Sequence, residues 1–168
     1  RKKMSKQIQF TKTGSPDVLQ IVDVAVPAPK AHEVQIQIHA IGLNRAEMMY
    51  REGAYVIDPV FPATLGYEGA GVVTAIGDGV SEFAIGDKVS VIPSFMFTEY
   101  GTYGELVNMP KHAVVKPPDT LTMEQASASW MAFVTAYGGL LEFGKLQKGD
   151  GVVLGGATSS VGLAAIES

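Results

Sequence analysis

Pro62 to Val91 reads PATLGYEGAGVVTAIGDGVSEFAIGDKVSV, and its punctuation decides the fold. An apolar run from Ala70 to Ile76 is cut by Gly77-Asp78-Gly79. A second break falls at Gly86-Asp87, and Lys88 to Ile92 resumes the pattern, so the stretch reads as three short strands separated by tight turns. Glycine supplies the positive φ that such turns need. Between the breaks the side chains are small (Ala70, Gly71, Ala75) or β-branched (Val72, Val73, Thr74, Ile76), as in a strand crowded on both faces inside a small barrel. The expected fold is mainly β, a β-barrel.

Composition sets the outer bounds. With 168 residues, 46% hydrophobic and 18% charged, the chain can bury a sizeable core as one domain, or one domain plus part of another. A net charge of -4 leaves no basic footprint for nucleic acid. No apolar run reaches the length of a membrane span and no charged-then-apolar leader opens the chain, so neither is expected. Arg1-Lys2-Lys3 precedes Met4 and reads as a processed end or an expression remnant rather than a binding arm. The absence of cysteine excludes disulfides and thiolate metal sites and fits a cytoplasmic protein.

From the N-terminus, Lys6 to Phe10 and Val18 to Val24 are strand-like and joined by a Gly14-Ser15-Pro16-Asp17 turn, which makes a hairpin. After the stiff Pro27-Ala28-Pro29 link, Val34, Ile36, Ile38 and Ala40 alternate with Gln35, Gln37 and His39 along a half-buried strand. His39 falls on its polar face, and no two of His32, His39 and His112 have metal-ligand spacing. Asn44 can then cap a short helix, Glu47 can reach back to its start, and Gly53 can end it in the left-handed conformation. On that helix Tyr50 reads as a core-edge residue and Arg51 as a solvated end. Glu68, a carboxylate in an apolar glycine-rich run, needs a buried partner and is read as half of a structural ion pair. Phe95, Phe97, Tyr100 and Tyr103 are either one wall of an apolar pocket or core beneath a loop.

The character changes after Pro117-Pro118-Asp119. Leu121 to Leu141 reads helical in two stretches, Thr122 to Ala128 and Trp130 onward, with Thr135 as a helix threonine able to bond its own backbone. Gly151-Val152-Val153-Leu154 follows as a short apolar strand of the kind buried in a parallel sheet, with a demand for burial against a neighbour. Gly155-Gly156-Ala157-Thr158-Ser159-Ser160-Val161-Gly162 comes next. A strand, a glycine-rich turn and a helix start form the setting in which backbone N–H groups cradle a pyrophosphate.

Leu65-Gly66-Tyr67-Glu68-Gly69-Ala70-Gly71-Val72-Val73, with Gly77 and then Gly86-Asp87-Lys88-Val89, resembles the catalytic barrel of the medium-chain dehydrogenase/reductase superfamily, the GroES-like domain of zinc alcohol dehydrogenases and zinc-free quinone oxidoreductases. The resemblance implies a GroES-like barrel over residues 4–120. Residues 121–168 would then hold the crossover helices and the truncated start of an α/β Rossmann domain. In zinc-dependent members cysteine and histidine ligands stand at the positions of Asn44 and Tyr67, so a chain with asparagine and tyrosine there is expected to hold no zinc. Asn44, Glu47, Tyr50 and Arg51, with Tyr55 shortly after, instead match the zinc-free quinone oxidoreductase pattern.

By that resemblance Asn44 and Thr135 lie near a nicotinamide, and Tyr50, Arg51 and Tyr55 line the substrate side. Gly156, Ser159, Ser160, Val161 and Gly162 hold the pyrophosphate. Ser159 replaces the family's middle glycine and offers a hydroxyl donor in its place. The implied cofactor is NADP, or NAD. The residue that selects between them belongs about twenty residues beyond the glycines, after Ser168. The implied chemistry is hydride transfer to a small-molecule quinone or α,β-unsaturated carbonyl, with no nucleic-acid or membrane partner and with assembly as a homo-oligomer. A zinc alcohol dehydrogenase and a non-catalytic barrel serving as an interaction module are the alternatives. The resemblance implies a protein roughly twice as long, and one strand and part of a helix cannot make a doubly wound sheet. The chain is therefore expected to be a fragment, inactive by itself.

Overall fold

The computed structural model describes residues 3–168; Arg1 and Lys2, part of the basic N-terminal cluster, lie outside the described residues. Strands β1 (Lys3–Phe10) and β2 (Gln20–Val26) pair antiparallel as the expected hairpin, and β1 also pairs with β4 (Ala63–Thr64). A second, curled sheet has the order β7-β3-β5-β6-β8, from β3 (Glu33–Ile41), β5 (Gly69–Ile76), β6 (Lys88–Val91), β7 (Leu106–Pro110) and β8 (Val114–Val115). The two sheets meet along a seam where the Ile8 N–H donates to Tyr103 O (2.8 Å) and the Glu105 N–H to Lys6 O (2.9 Å).

The hydrophobic alternation explains the layering. Val34 and Ile36 of β3 are completely buried with Val73, Val89, Val91 and Met109, while Gln37 and His39 are exposed. Gln35 departs from the expected polar face. It is buried, and its amide donates to Pro27 O and to Asn108 Oδ1, both at 3.0 Å, so a hydrogen-bonded glutamine sits where an unpaired one would be costly. β5 is packed between β3 and β6, with register shifts along β3 after Gln35 and Ile38. The close approach of the strands at β5 requires glycine: a Cβ at Gly71 would lie 2.0 Å from Gln37 O.

Two strand expectations are corrected. The run between the breaks, residues 80–85, is a loop that makes no sheet pairing, with Val80 buried and Phe83 packed on the core. Residues 151–154 are likewise not a strand. They make no sheet pairing, and Val153 is 99% exposed. Apolar β-branched residues favour a sheet only where a partner strand exists, and the described residues offer none there.

Helix α1 (Arg45–Glu52) follows β3. Helix α2 (Met123–Ala128) starts at a reciprocal Thr122–Gln125 capping box and docks on the curled sheet. There Ser90 Oγ donates to Ala126 O at 2.8 Å and Lys88 Nζ to Leu121 O. Helix α3 (Trp130–Tyr137) runs on into a π-helical stretch, Gly138–Phe143, and packs through Ala132 and Ala136 on Ala164 of α4 (Ser160–Glu167). No helix among the described residues is long and apolar enough to cross a membrane.

Candidate functional site

The site is built on the entry to α1. Asn44 sits in extended backbone (φ -129°) at the N-cap, and its N–H donates to Glu47 Oε2 at 2.8 Å. Gly53, at φ 73°, closes the helix in the left-handed region, as the sequence predicts. The amide of Asn44 has a different use from helix capping: Nδ2 donates to Glu68 Oε1 at 3.0 Å. The second oxygen of Glu68 accepts the N–H of Met131, in the first turn of α3, at 3.0 Å.

The ion pair expected for Glu68 is therefore corrected. Its side chain is buried at 2% exposure and is satisfied by neutral N–H donors from two elements. Gly42 makes the space, since a Cβ there would stand 2.4 Å from Glu68 Oε1. Burial pushes the Glu68 carboxyl above its ordinary range, and the donors from Met131, Asn44 and Trp130 oppose that shift. An acid whose pKa is raised by folding binds its proton more tightly in the native state, so its contribution to stability is greatest at low pH. That contribution is lost as pH rises from about 4.5 through the raised value. Glu68→Gln is accordingly expected to gain in melting temperature relative to the parent as pH rises from about 4.5 through the raised value. Paired thermal melts across that range check this, and a gap independent of pH would refute it.

Glu47 is the second buried carboxylate, at 3% exposure. Oε1 accepts the Tyr67 N–H at 3.0 Å, while Oε2 accepts the Tyr103 hydroxyl at 2.7 Å as well as the Asn44 N–H. It thereby fixes the main chain of Tyr67, whose ring stacks on Phe97 with centroids 3.7 Å apart and 30° between planes. Tyr50, Tyr55, Phe95 and Phe10 complete this aromatic cluster, and Met131 of α3 packs against it. The aromatics left open between pocket wall and core are thus core for Phe97, with Phe95, Tyr100 and Tyr103 half-buried and packed against the core clusters. The Tyr55 and Tyr67 hydroxyls lie 3.3 Å apart.

Tyr50 is completely buried, and its hydroxyl lacks a formed hydrogen bond. Arg51 is not a solvated helix end. Its guanidinium is buried, donating to Gly14 O of the β1–β2 connection and to Glu52 Oε1 at 3.0 Å. Thr135 is exposed and its hydroxyl donates to Met131 O at 2.6 Å, the back-bond of a helix threonine.

The glycine-rich loop leads into α4, the helix that packs on α3. Gly156 turns the chain at φ 68°, and the Ser159 N–H donates to Gly156 O at 2.9 Å. Ser159 caps α4, its Oγ accepting the Gly162 N–H at 3.0 Å, which leaves the hydroxyl proton free to be donated. Ser160 and Val161 follow in the first turn, where helix geometry leaves their N–H groups without intrahelical acceptors. Gly162 is the packing glycine, because a Cβ there would lie 2.5 Å from Gly156 O and 2.7 Å from Ala157 Cα. These residues fit a pyrophosphate: exposed backbone donors, one hydroxyl, and a loop held tight to the helix. A divalent metal is not fitted at the barrel site. Asn44 offers only a neutral amide oxygen there, burial holds the Tyr67 phenol well above its usual range, and no group of three or more His, Cys, Asp or Glu side chains able to hold a metal occurs among the described residues.

The structure thus brings together Asn44, Tyr50 and Tyr55 around the aromatic cluster and sets Gly156 to Gly162 apart, with α3 joining the two places. Tyr67 and Tyr103 were missed as site residues. The adjacency of Tyr67 to Glu68 in an otherwise small-residue run was the available signal.

Residues 30–119 match the family model described as the alcohol dehydrogenase GroES-like domain. The chain is 36% identical over 166 residues to the human (Homo sapiens) protein named quinone oxidoreductase, covering 98% of this chain and 49% of that one. It is 39% identical over 149 residues to the human synaptic vesicle membrane protein VAT-1 homolog, covering 89% and 37%. The solved structure of Escherichia coli quinone oxidoreductase complexed with NADPH superposes with a TM-score of 0.84 at 31% identity, over 95% of this chain and 48% of that one. The chain spans 49% of the length of the first of these curated relatives and 37% of the second. With its barrel, its glycine-rich loop and these similarities, the chain belongs to the alcohol dehydrogenase GroES-like family, within the quinone oxidoreductase-like part of the medium-chain dehydrogenase/reductase superfamily.

Proposed function

We propose that this chain is the acceptor-binding part, with the start of the cofactor-binding part, of an NADP-dependent oxidoreductase that reduces a quinone or an α,β-unsaturated carbonyl without zinc. Residues 4–120 are its barrel domain and 121–168 the opening of its cofactor domain. The observation that carries this reading is the donor set around Asn44: an amide, two phenols and aromatic walls stand where a zinc site would need free ligands.

When bound, the cofactor supplies the hydride. Gly156, Ser159, Ser160, Val161 and Gly162 hold its pyrophosphate, and Asn44 and Thr135 border its nicotinamide. Tyr55 faces the acceptor, with Tyr50 and Arg51 behind it, Tyr50 within the aromatic wall and Arg51 anchoring α1 to the β1–β2 connection. Preorganised donors lower the cost of charge developing on the acceptor oxygen. The full-length protein, stripped with a chelator and dialysed, is expected to oxidise NADPH with 1,4-naphthoquinone at an undiminished rate. Activity lost on stripping and restored by zinc would favour the alcohol dehydrogenase reading instead.

A further inference from the structure

Two carboxylates are buried against a single residue. Glu47 and Glu68 both end on Asn44: Glu47 Oε2 accepts its N–H at 2.8 Å, and Glu68 Oε1 accepts from its Nδ2 at 3.0 Å. Their other partners, the N–H groups of Tyr67 and Met131 and the Tyr103 hydroxyl, are neutral as well. Among the described residues no cation pairs with either carboxylate. The two arginines of α1 do not serve: Arg51 is spent on Gly14 O and Glu52, and Arg45 is exposed.

Neutral donors hold a carboxylate in place without cancelling its charge, and a low-dielectric setting leaves that charge poorly screened. The neighbours register it. Beyond the effect of burial, Glu47 adds to the upward shift of the Glu68 carboxyl, and both carboxylates add to that of the Tyr103 phenol. The two charges are also fixed in position, since each carboxylate is tied on both of its oxygens. Only Asn44 touches both, so it stands between two immobile negative groups and whatever lies on its other side.

We propose that Glu47 and Glu68 set a fixed negative field behind Asn44 that favours the oxidised, positively charged nicotinamide over the neutral reduced one, and so makes bound NADPH a stronger hydride donor. This rests on the proposed reductase function, which puts the nicotinamide at Asn44. Hydride leaving the ring takes two electrons and one proton to the acceptor, whose oxygen then takes a proton from water, and the ring is left with one positive charge. The phosphates and riboses are the same in both forms. The field of Glu47 and Glu68 therefore acts on the difference between the two cofactors and on nothing they share. A lysine or arginine paired with Glu68 would cancel it, and the neutral donors do not.

The test is calorimetric titration of the full-length protein with NADP+ and with NADPH, at about pH 8, well above the ordinary carboxylate range. A unit charge about 10 Å from another changes a binding constant about tenfold at an effective dielectric of about 20. Glu68→Gln keeps the shape and removes the charge. It is expected to weaken NADP+ binding about tenfold and leave NADPH binding unchanged, equal to a rise of about 30 mV in the potential of the bound couple. Glu47→Gln is expected to move the same ratio in the same direction, which keeps the test open should one variant lose its fold. Glu82→Gln, at an exposed carboxylate paired with Lys111 at 2.7 Å, is expected to change neither. A merely structural role for Glu68 would weaken both cofactors alike. That result, or an unmoved ratio in both buried variants, would overturn the proposal while the reductase reading stands, and a parent protein that binds neither cofactor would overturn both.

Discussion

Gly71→Ala is expected to destabilise the barrel by about 3 kcal/mol, seen as a fall in melting temperature of about 6–12 °C for a chain of this size. The new methyl would sit 2.0 Å from Gln37 O, 2.8 Å from Gln37 C and 3.0 Å from Ile36 Cγ2. Two of those three atoms are backbone of β3, the strand that pairs with both β5 and β7, so relief requires separating ladders on two sides. No flexible side-chain end is available to give way. Against a typical total stability of 5–15 kcal/mol, such a loss takes a large share of the margin. Circular dichroism melts check it, with Gly155→Ala as the control, since nothing lies within 4 Å of a Cβ at Gly155. A Gly71→Ala protein melting with its parent would mean that β3 and β5 are not paired in this register.

Gly162→Ala in the full-length protein is expected to weaken NADPH binding about a hundredfold while leaving the barrel's melting behaviour intact. The added methyl meets backbone on both sides, Gly156 O at 2.5 Å and Ala157 Cα and C at 2.7 and 2.8 Å, so the loop must lift away from α4. Lifting it breaks the alignment of the Ser160 and Val161 amides with the Ser159 hydroxyl. Charge-assisted hydrogen bonds to a phosphate are worth about 1.5–3 kcal/mol each, and losing one or two of them gives the stated factor. Calorimetric titration with NADPH measures it. Undiminished affinity would show that the pyrophosphate is held elsewhere.

Local chemistry made part of this molecule legible. Asn44, Glu47 and Gly53 spell a helix start and stop within ten residues, and the structure has both; Thr122 and Gln125 do the same for α2. Gly77 to Gly79 and Gly86-Asp87 bound β5 and β6 where the sequence puts them. What failed depends on a distant neighbour. Residues 80–85 and 151–154 have strand composition but no strand to join, and composition cannot reveal a missing partner. Glu68 finds Asn44 and Met131 at sequence separations of 24 and 63, and Arg51 finds Gly14 at 37, so neither partnership could be read from spacing. The Tyr55–Tyr67 pair was hidden for the same reason, each residue lying in a different local motif.

The position of Glu68 has a mechanical consequence. A single carboxylate group takes one hydrogen bond from the asparagine that starts α1 and one from the first turn of α3, and Gly42 leaves it no slack on the remaining side. If α3 tilts, the carboxylate must either follow it and rotate the Asn44 amide, or stay and release Met131. Glu68 thus couples the start of α1 to α3, the helix on which α4 packs, and the two cannot be displaced independently without breaking a buried bond.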